Sequence, residues 1–490
     1  MMEMLFHNEQ MIKDLNEKAV MTERNRRAYK AFYQEVNWID EQNIWHYEHQ
    51  RSMLLDELDK YVAWGFHGSK ADTAQLSPGC RLCGEGEWSC LFVNNVCNAS
   101  CFYCPSKQDD VSIPTTSSVS FDDPYDYVAY LKKFGFKGAS ISGGEPFMTF
   151  DKTLRFIRTI RKEMGDEIYI WMYTNGILAE MEKFRALREA GLNEVRFDLS
   201  AIGYKMTPVH EAAGIIDNIT VEIPAIPEDY DRVVRLLPDL KSGGVNFLNL
   251  HQIRLTDFNH SKLQKRGYTF LHGPKPTVLE SELTALKILL YAYKNMTGLP
   301  VNYCSYIYRY RFQGRASRIK QTRFFTNPRE FITETGLIRN IAVKGKPEKM
   351  QEMAGSVFRE NGTEKWHQQN DGKAIIHESL LPAALDFDME ISVSYQATKL
   401  RNALTYKFPF KTIRLSSEKE VYIERGAVTD EFSLTRAEGH FFNDVFCHNE
   451  KPMRKGAFKE RIDIAGMKDE AKWMELFHLE KLEHGLYPYY

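Results

Sequence analysis

Three cysteines within eight residues carry the plainest chemistry in this chain: Cys97-Asn-Ala-Ser-Cys101-Phe-Tyr-Cys104, at C-x3-C-x2-C spacing. Thiolates are soft ligands suited to iron–sulfur clusters, which normally take four protein ligands. Three ligands leave one iron of a 4Fe–4S cluster without a local partner, and an open metal position is a place for chemistry. A second group, Cys80, Cys83 and Cys90, precedes it at C-x2-C-x6-C in a Gly-rich stretch. The C-x2-C pair is a common ligand pair for zinc or iron, and buried small hydrophobes are the alternative reading.

The elements that must position these thiols are strands alternating with helices. A strand-like run from Cys90 to Val96 leads directly into the loop. Helices are expected at 124–134, 154–164, 178–190, 209–216 and 229–240, with Leu178, Met181, Phe184 and Leu187 on one face of the third. Strands are expected between them at 138–142, 168–173, 194–200, 220–224 and 246–253. Such alternation argues for a parallel sheet. Two further motifs fall after the second and third strands: Ile141-Ser-Gly143-Gly144-Glu145-Pro146 and Tyr173-Thr-Asn175-Gly176.

The thiol loop with an aromatic, Tyr103, before its last Cys, followed by G-G-E-P and T-N-G, resembles the radical S-adenosylmethionine (SAM) superfamily. That resemblance implies an α/β fold, a partial (β/α)6 TIM-type barrel. Segment 1–76 is then an N-terminal helical segment, 77–325 the barrel with its extra Cys-rich loop, and 326–490 a C-terminal α+β accessory domain. The Cys80-x2-Cys83-x6-Cys90 group ahead of the loop, with Val301-Asn-Tyr-Cys304-Ser near an Arg-rich run, is similar to a branch related to pyruvate formate-lyase activating enzymes.

The resemblance further implies that SAM binds the open iron held by Cys97, Cys101 and Cys104. One electron would cleave a carbon–sulfur bond, giving methionine and a 5′-deoxyadenosyl radical, with flavodoxin or ferredoxin as the donor. Tyr103, Gly143, Gly144, Glu145, Pro146 and Asn175 are the expected SAM-contacting stretch. Gly143 and Gly144 would let backbone approach the methionine group. Glu145 can receive the SAM amino group or act as a helix-start carboxylate.

Period-2 alternation puts Arg196, Asp198 and Ser200 on one face of the fourth strand. Facing the lumen, Arg196 can pair the SAM carboxylate while Asp198 or Ser200 binds ribose; an internal Arg–Asp pair is the other reading. Asn249 and His251 share a luminal parity on the sixth strand, as substrate contacts or as core residues. Cys304, after the apolar Pro300–Tyr303 run, is the expected fourth ligand of a second metal centre on Cys80, Cys83 and Cys90, either zinc or a second iron–sulfur cluster.

Composition narrows the class. Sixty-four basic residues stand against 66 acidic ones, so no global field points to nucleic acid or an anionic membrane. Six of the eight cysteines crowd between Cys80 and Cys104, a pattern of metal ligation in a reducing compartment rather than of disulfides. Residues 1–10 lack the apolar run of a signal peptide, and no segment approaches a membrane span; a cytoplasmic protein is expected. The leading reading is hydrogen abstraction from a protein or peptide. RNA is the alternative substrate, held by the Arg-rich stretch from Arg309 to Lys349. A non-catalytic iron–sulfur or zinc module is the alternative of another class.

Overall fold

The computed structural model describes residues 19, 21–71, 75–108, 110–355, 363–370, 372–387, 389–448 and 453–489. The stretch 1–10, read above for a signal peptide, lies outside them. The chain divides into two compact units, one of residues 1–312 with 485–490 and one of residues 313–484. The second unit therefore begins inside the segment that the sequence assigned to the barrel.

In the first unit, helix α1 (Glu41–Leu58) starts at Asp40, whose side chain accepts from Asn43 N. A short hairpin follows, β1 (Trp64–Gly65) and β2 (Lys70–Ala71), then helix α2 (Pro78–Glu85). Helix α2 has Ser77 as its cap, Pro78 in its first turn and Gly86 in the left-handed conformation at its end. The βα repeat runs through β3 (Trp88–Asn94), hairpin β4 (Thr115–Thr116) and β5 (Val119–Ser120), α3 (Pro124–Lys133), β6 (Gly138–Gly143) and α4 (Phe150–Met164). It continues with β7 (Tyr169–Thr174), α5 (Met181–Glu189), β8 (Glu194–Phe197), α6 (Thr207–Ala212), β9 (Asn218–Pro224) and α7 (Tyr230–Ser242). It closes with β10 (Phe247–His251), hairpin β11 (Phe270–Leu271) and β12 (Thr277–Val278), α8 (Leu279–Lys294) and β13 (Val301–Cys304).

The sheet order is β1-β2-β13-β10-β9-β8-β7-β6-β3-β4-β5. The run from β3 to β13 is parallel throughout, and antiparallel hairpins cover both edges. This is the expected partial parallel barrel, extended at its edge by β13. Its strands are buried on both faces, as parallel sheets must be: Ile170, Trp171 and Met172 are wholly covered. The fourth strand stops at Phe197, short of the expected Ser200; Asp198 leads into a helical turn over Leu199–Ile202.

The second unit is a mostly antiparallel sheet. It contains β14 (Ile338–Lys344), β15 (Glu390–Arg401) and β16 (Glu420–Ala427) at its centre, packed through Ile341, Val393 and Tyr395 against helices that contribute Phe442, Trp473 and Phe477. Its Arg-rich stretch is largely engaged inward. Arg339 is buried against Glu378 and Glu480, and Arg315 and Arg318 donate to the carbonyls of Glu334 and Thr335. Among the described residues no helix is long and apolar enough to cross a membrane.

Candidate active site

The thiol loop leaves β3 at the carboxyl end of the parallel strands, where active sites of such barrels lie. Cys97, Cys101 and Cys104 are all free and half-buried. Nitrogen donors point at two of the sulfurs: Ala99 N and Asn175 Nδ2 lie 3.5 and 3.6 Å from Cys97 Sγ, and Gln108 Nε2 lies 3.3 Å from Cys104 Sγ. Hydrogen bonds to sulfur tune iron–sulfur centres. Burial pushes the Cys101 thiol up to about 11, so ligation must displace its proton. Three half-buried thiols in one loop, two already serving as acceptors, fit a 4Fe–4S cluster with one iron left open.

The G-G-E-P stretch holds that loop in place. Gly144 N donates to Asn94 O at 3.0 Å and Glu145 N to Val96 O at 2.7 Å. A Cβ on Gly143 would fall 2.2 Å from Asn94 O, and one on Gly144 would fall 2.0 Å from Val96 O. Gly143 also has φ +132°, a conformation side chains rarely adopt. The backbone these glycines admit is that of the thiol loop. Pro146 opens the short turn that follows. The buried Glu145 carboxylate accepts from Phe147 N (3.0 Å), Thr174 Oγ1 (2.9 Å) and Asn175 N (2.8 Å). The helix-start reading of Glu145 is the one its geometry matches, and it adds a tie to the T-N-G turn. Asn175 completes the clamp, donating from Nδ2 to Asn98 Oδ1 at 2.7 Å.

Tyr103, from the same loop, reaches the end of the fourth strand. Its hydroxyl donates to Asp198 Oδ2 at 2.9 Å and lies 2.6 Å from Ser200 Oγ, which donates to Asp198 Oδ1 at 2.5 Å. Burial raises the Asp198 carboxyl above its ordinary value. These three residues, expected to line the SAM site, do come together.

Arg196 does not join them. Its Nε donates to Glu194 Oε1 (2.8 Å), Nη1 to Glu222 Oε2 (2.8 Å) and Nη2 to Ser77 Oγ (3.2 Å), leaving the guanidinium fully engaged. The expected pairing with a SAM carboxylate is therefore corrected. The internal pair is real, but its acids are Glu194 and Glu222, not Asp198. A buried charge needs a buried counter-charge with good geometry; Glu194 lies two residues before Arg196 on its own strand, and Glu222 two residues beyond Thr220, the β9 residue level with Arg196. His251 Nε2 meets Glu222 Oε1 at 2.8 Å, and Asn249 Nδ2 donates to Glu222 Oε2 at 3.0 Å. Burial pushes the Glu222 carboxyl up, but His251 and Arg196 outweigh it and hold it well below the usual carboxylate range. Burial lowers His251, and its contact with Glu222 opposes that shift. Glu222 is the luminal residue that the sequence reading missed. Alternation along β9 puts it on the face of Thr220, a signal that was there to find.

Residues 91–251 match the radical SAM superfamily. This barrel is a radical SAM domain. A Methanocaldococcus jannaschii protein named "Putative glycyl-radical enzyme activating enzyme" is 28% identical over 326 residues, covering 64% of this chain and 83% of that protein. A Listeria monocytogenes GTP 3′,8-cyclase is 30% identical over 114 residues, 23% of this chain and 33% of the cyclase. Among solved structures, Escherichia coli coproporphyrinogen III oxidase aligns at 11% identity and a TM-score of 0.31, over 49% of this chain and 62% of its own. The protein is a radical SAM enzyme, and its cofactors are a 4Fe–4S cluster and SAM.

The radical SAM domain carries its second thiol group inside the barrel. Helix α2 lies against the lumen, with Gly79 under the Arg196 guanidinium, and Asn249 Nδ2 donates to Cys80 Sγ at 3.2 Å. Cys83 has Cys304 and Cys80 as neighbours; burial first, then those two thiols, push it up to about 12. Cys90 is set apart, level with Ser140 on β6, and burial pushes its thiol up to about 11. Of the four thiols expected to hold a second zinc or iron–sulfur centre, Cys80, Cys83 and Cys304 are neighbours, while Cys90 stands on β3 nearer Glu222 and Arg196. The position of Cys90 beside Ser140 is set by the β3–β6 register.

Proposed function

We propose that this enzyme abstracts a hydrogen atom from a protein or peptide substrate admitted to the carboxyl end of the barrel. The observation that carries the reading is the clamped thiol loop, held on one side by Gly144 and Asn175 and on the other by Tyr103 through Asp198. Cys97, Cys101 and Cys104 would hold the 4Fe–4S cluster in the loop that also carries Tyr103. When bound, the cluster supplies the electron that splits SAM. The chain's own residues orient and enclose: Asn175 and Gln108 donate toward the sulfurs, and Tyr103 joins the loop to the fourth strand. The electron comes from a small redox protein such as flavodoxin or ferredoxin.

The relative named for activation of a glycyl-radical enzyme supports a protein substrate, because most of its length is matched. The inward engagement of Arg315, Arg318 and Arg339 removes much of the cationic stretch on which the RNA reading stood. The test is deuterium transfer. Peptides and partner proteins labelled at glycine Cα are incubated with anaerobically reconstituted enzyme, SAM and dithionite, and 5′-deoxyadenosine is weighed by mass spectrometry. Label entering 5′-deoxyadenosine supports the proposal; label entering only from RNA or a free nucleotide overturns it.

A further inference from the structure

Cys304 pairs on one side with His251 of β10 and on the other with Lys70 of β2. Residues directly paired across strands point to the same face, so Lys70, Cys304 and His251 form a row spanning about 10 Å at a strand spacing of about 5 Å. Lys70 is only 1% exposed. Among the described residues it has no carboxylate partner; its ammonium lies 4.7 Å from the ring centre of Tyr308. A buried ammonium without a counter-ion costs stability that one aromatic face does not restore.

Two arginines share this end of the barrel. The turn after β13 is tied down by Ser305, whose Oγ donates to Ser69 O at 3.0 Å, and by Tyr306, whose N donates to Gln252 Oε1 at 3.3 Å. That turn brings Arg309 over the Tyr306 ring, 5.8 Å from its centre, with its Nε buried and without a partner. Arg254, three residues beyond His251, lies beside Tyr306 and Arg309, and neither arginine forms an ion pair among the described residues. The nearby acid, Glu222, is already bound to Arg196 and His251.

We infer that Lys70, Arg254 and Arg309 form a binding site for an anionic group of the substrate, a carboxylate or a phosphate, beside His251. This rests on the reading that substrate enters the lumen, and it names the chemistry the substrate must carry. Burial, then repulsion from Arg309, lowers the proton affinity of Arg254, as expected where cations are gathered without their counter-charge. An acidic side chain or terminal carboxylate of a peptide would supply it, as would a phosphorylated small molecule.

The experiment uses the full reconstituted chain and needs no turnover. Binding of inorganic phosphate and of glutarate is followed by calorimetry and thermal shift, with chloride at matched ionic strength as control. The wild type should bind one of them saturably, and the preferred anion identifies the substrate group. Lys70→Met and Arg309→Gln should each weaken that binding about tenfold or more, while Arg309→Lys retains most of it. Lys70→Met should leave the melting temperature unchanged or raised in the absence of anion, because it removes a buried charge that has no carboxylate partner among the described residues. If it fails to fold, the half-buried Arg309 carries the test. Wild-type responses no different from chloride, or unchanged binding in Arg309→Gln, overturn the site. The deuterium-transfer assay judges the reaction separately, so loss of one conclusion leaves the other standing.

Discussion

Gly144 lies beneath the carbonyl of Val96, so close that a Cβ would stand 2.0 Å from that oxygen. Val96 immediately precedes Cys97, so the glycine sets the position of the first cluster ligand. Gly144→Val should therefore displace the thiol loop and lower iron content and cluster absorbance together with SAM cleavage. This differs from a glycine that only admits SAM, where the cluster would persist and SAM affinity alone would fall. Iron assay and visible absorbance of the reconstituted variant separate the two.

Replacing Cys97, Cys101 and Cys104 together by Ala should abolish 5′-deoxyadenosine formation while leaving the barrel folded. Its strands do not depend on these half-buried loop thiols for their packing. Dithionite-driven SAM cleavage at the wild-type rate would exclude the loop as the cluster site.

Tyr103→Phe removes a donor from the buried Asp198 and a partner from Ser200. The carboxylate, already raised by burial, loses a bond to its charged form, at a cost of about 1–3 kcal/mol. The expected result is a lower denaturation midpoint with full iron content. An unchanged midpoint would mean that water replaces the hydroxyl there.

Glu222→Gln leaves Arg196 buried with one carboxylate fewer, and should destabilise the barrel by about 3–5 kcal/mol. The pH sign follows from the shift. Folding depresses the Glu222 carboxyl, so its contribution is present above the ordinary glutamate value of 4.5 and is lost as pH falls below it. Denaturant midpoints between pH 3 and 7 should thus fall less steeply toward acid in Glu222→Gln than in wild type.

Much of this architecture was legible in the residues. Strand alternation placed Arg196, Asn249 and His251 on the luminal face, because a strand's period depends only on local backbone geometry. The C-x3-C-x2-C loop and the G-G-E-P motif likewise announced themselves, since their ligand spacing and tight backbone are encoded within a few residues. The partners of those residues were not legible. Arg196 could have met Asp198, SAM or a glutamate on another strand. The register of β8 against β9 decides for Glu222, 26 positions away. The same holds for Lys70, Cys304 and His251, made neighbours only when β2 and β10 flank β13. Local sequence determines which way a side chain faces, whereas what it faces depends on strand order and register, which exist only once the sheet has assembled.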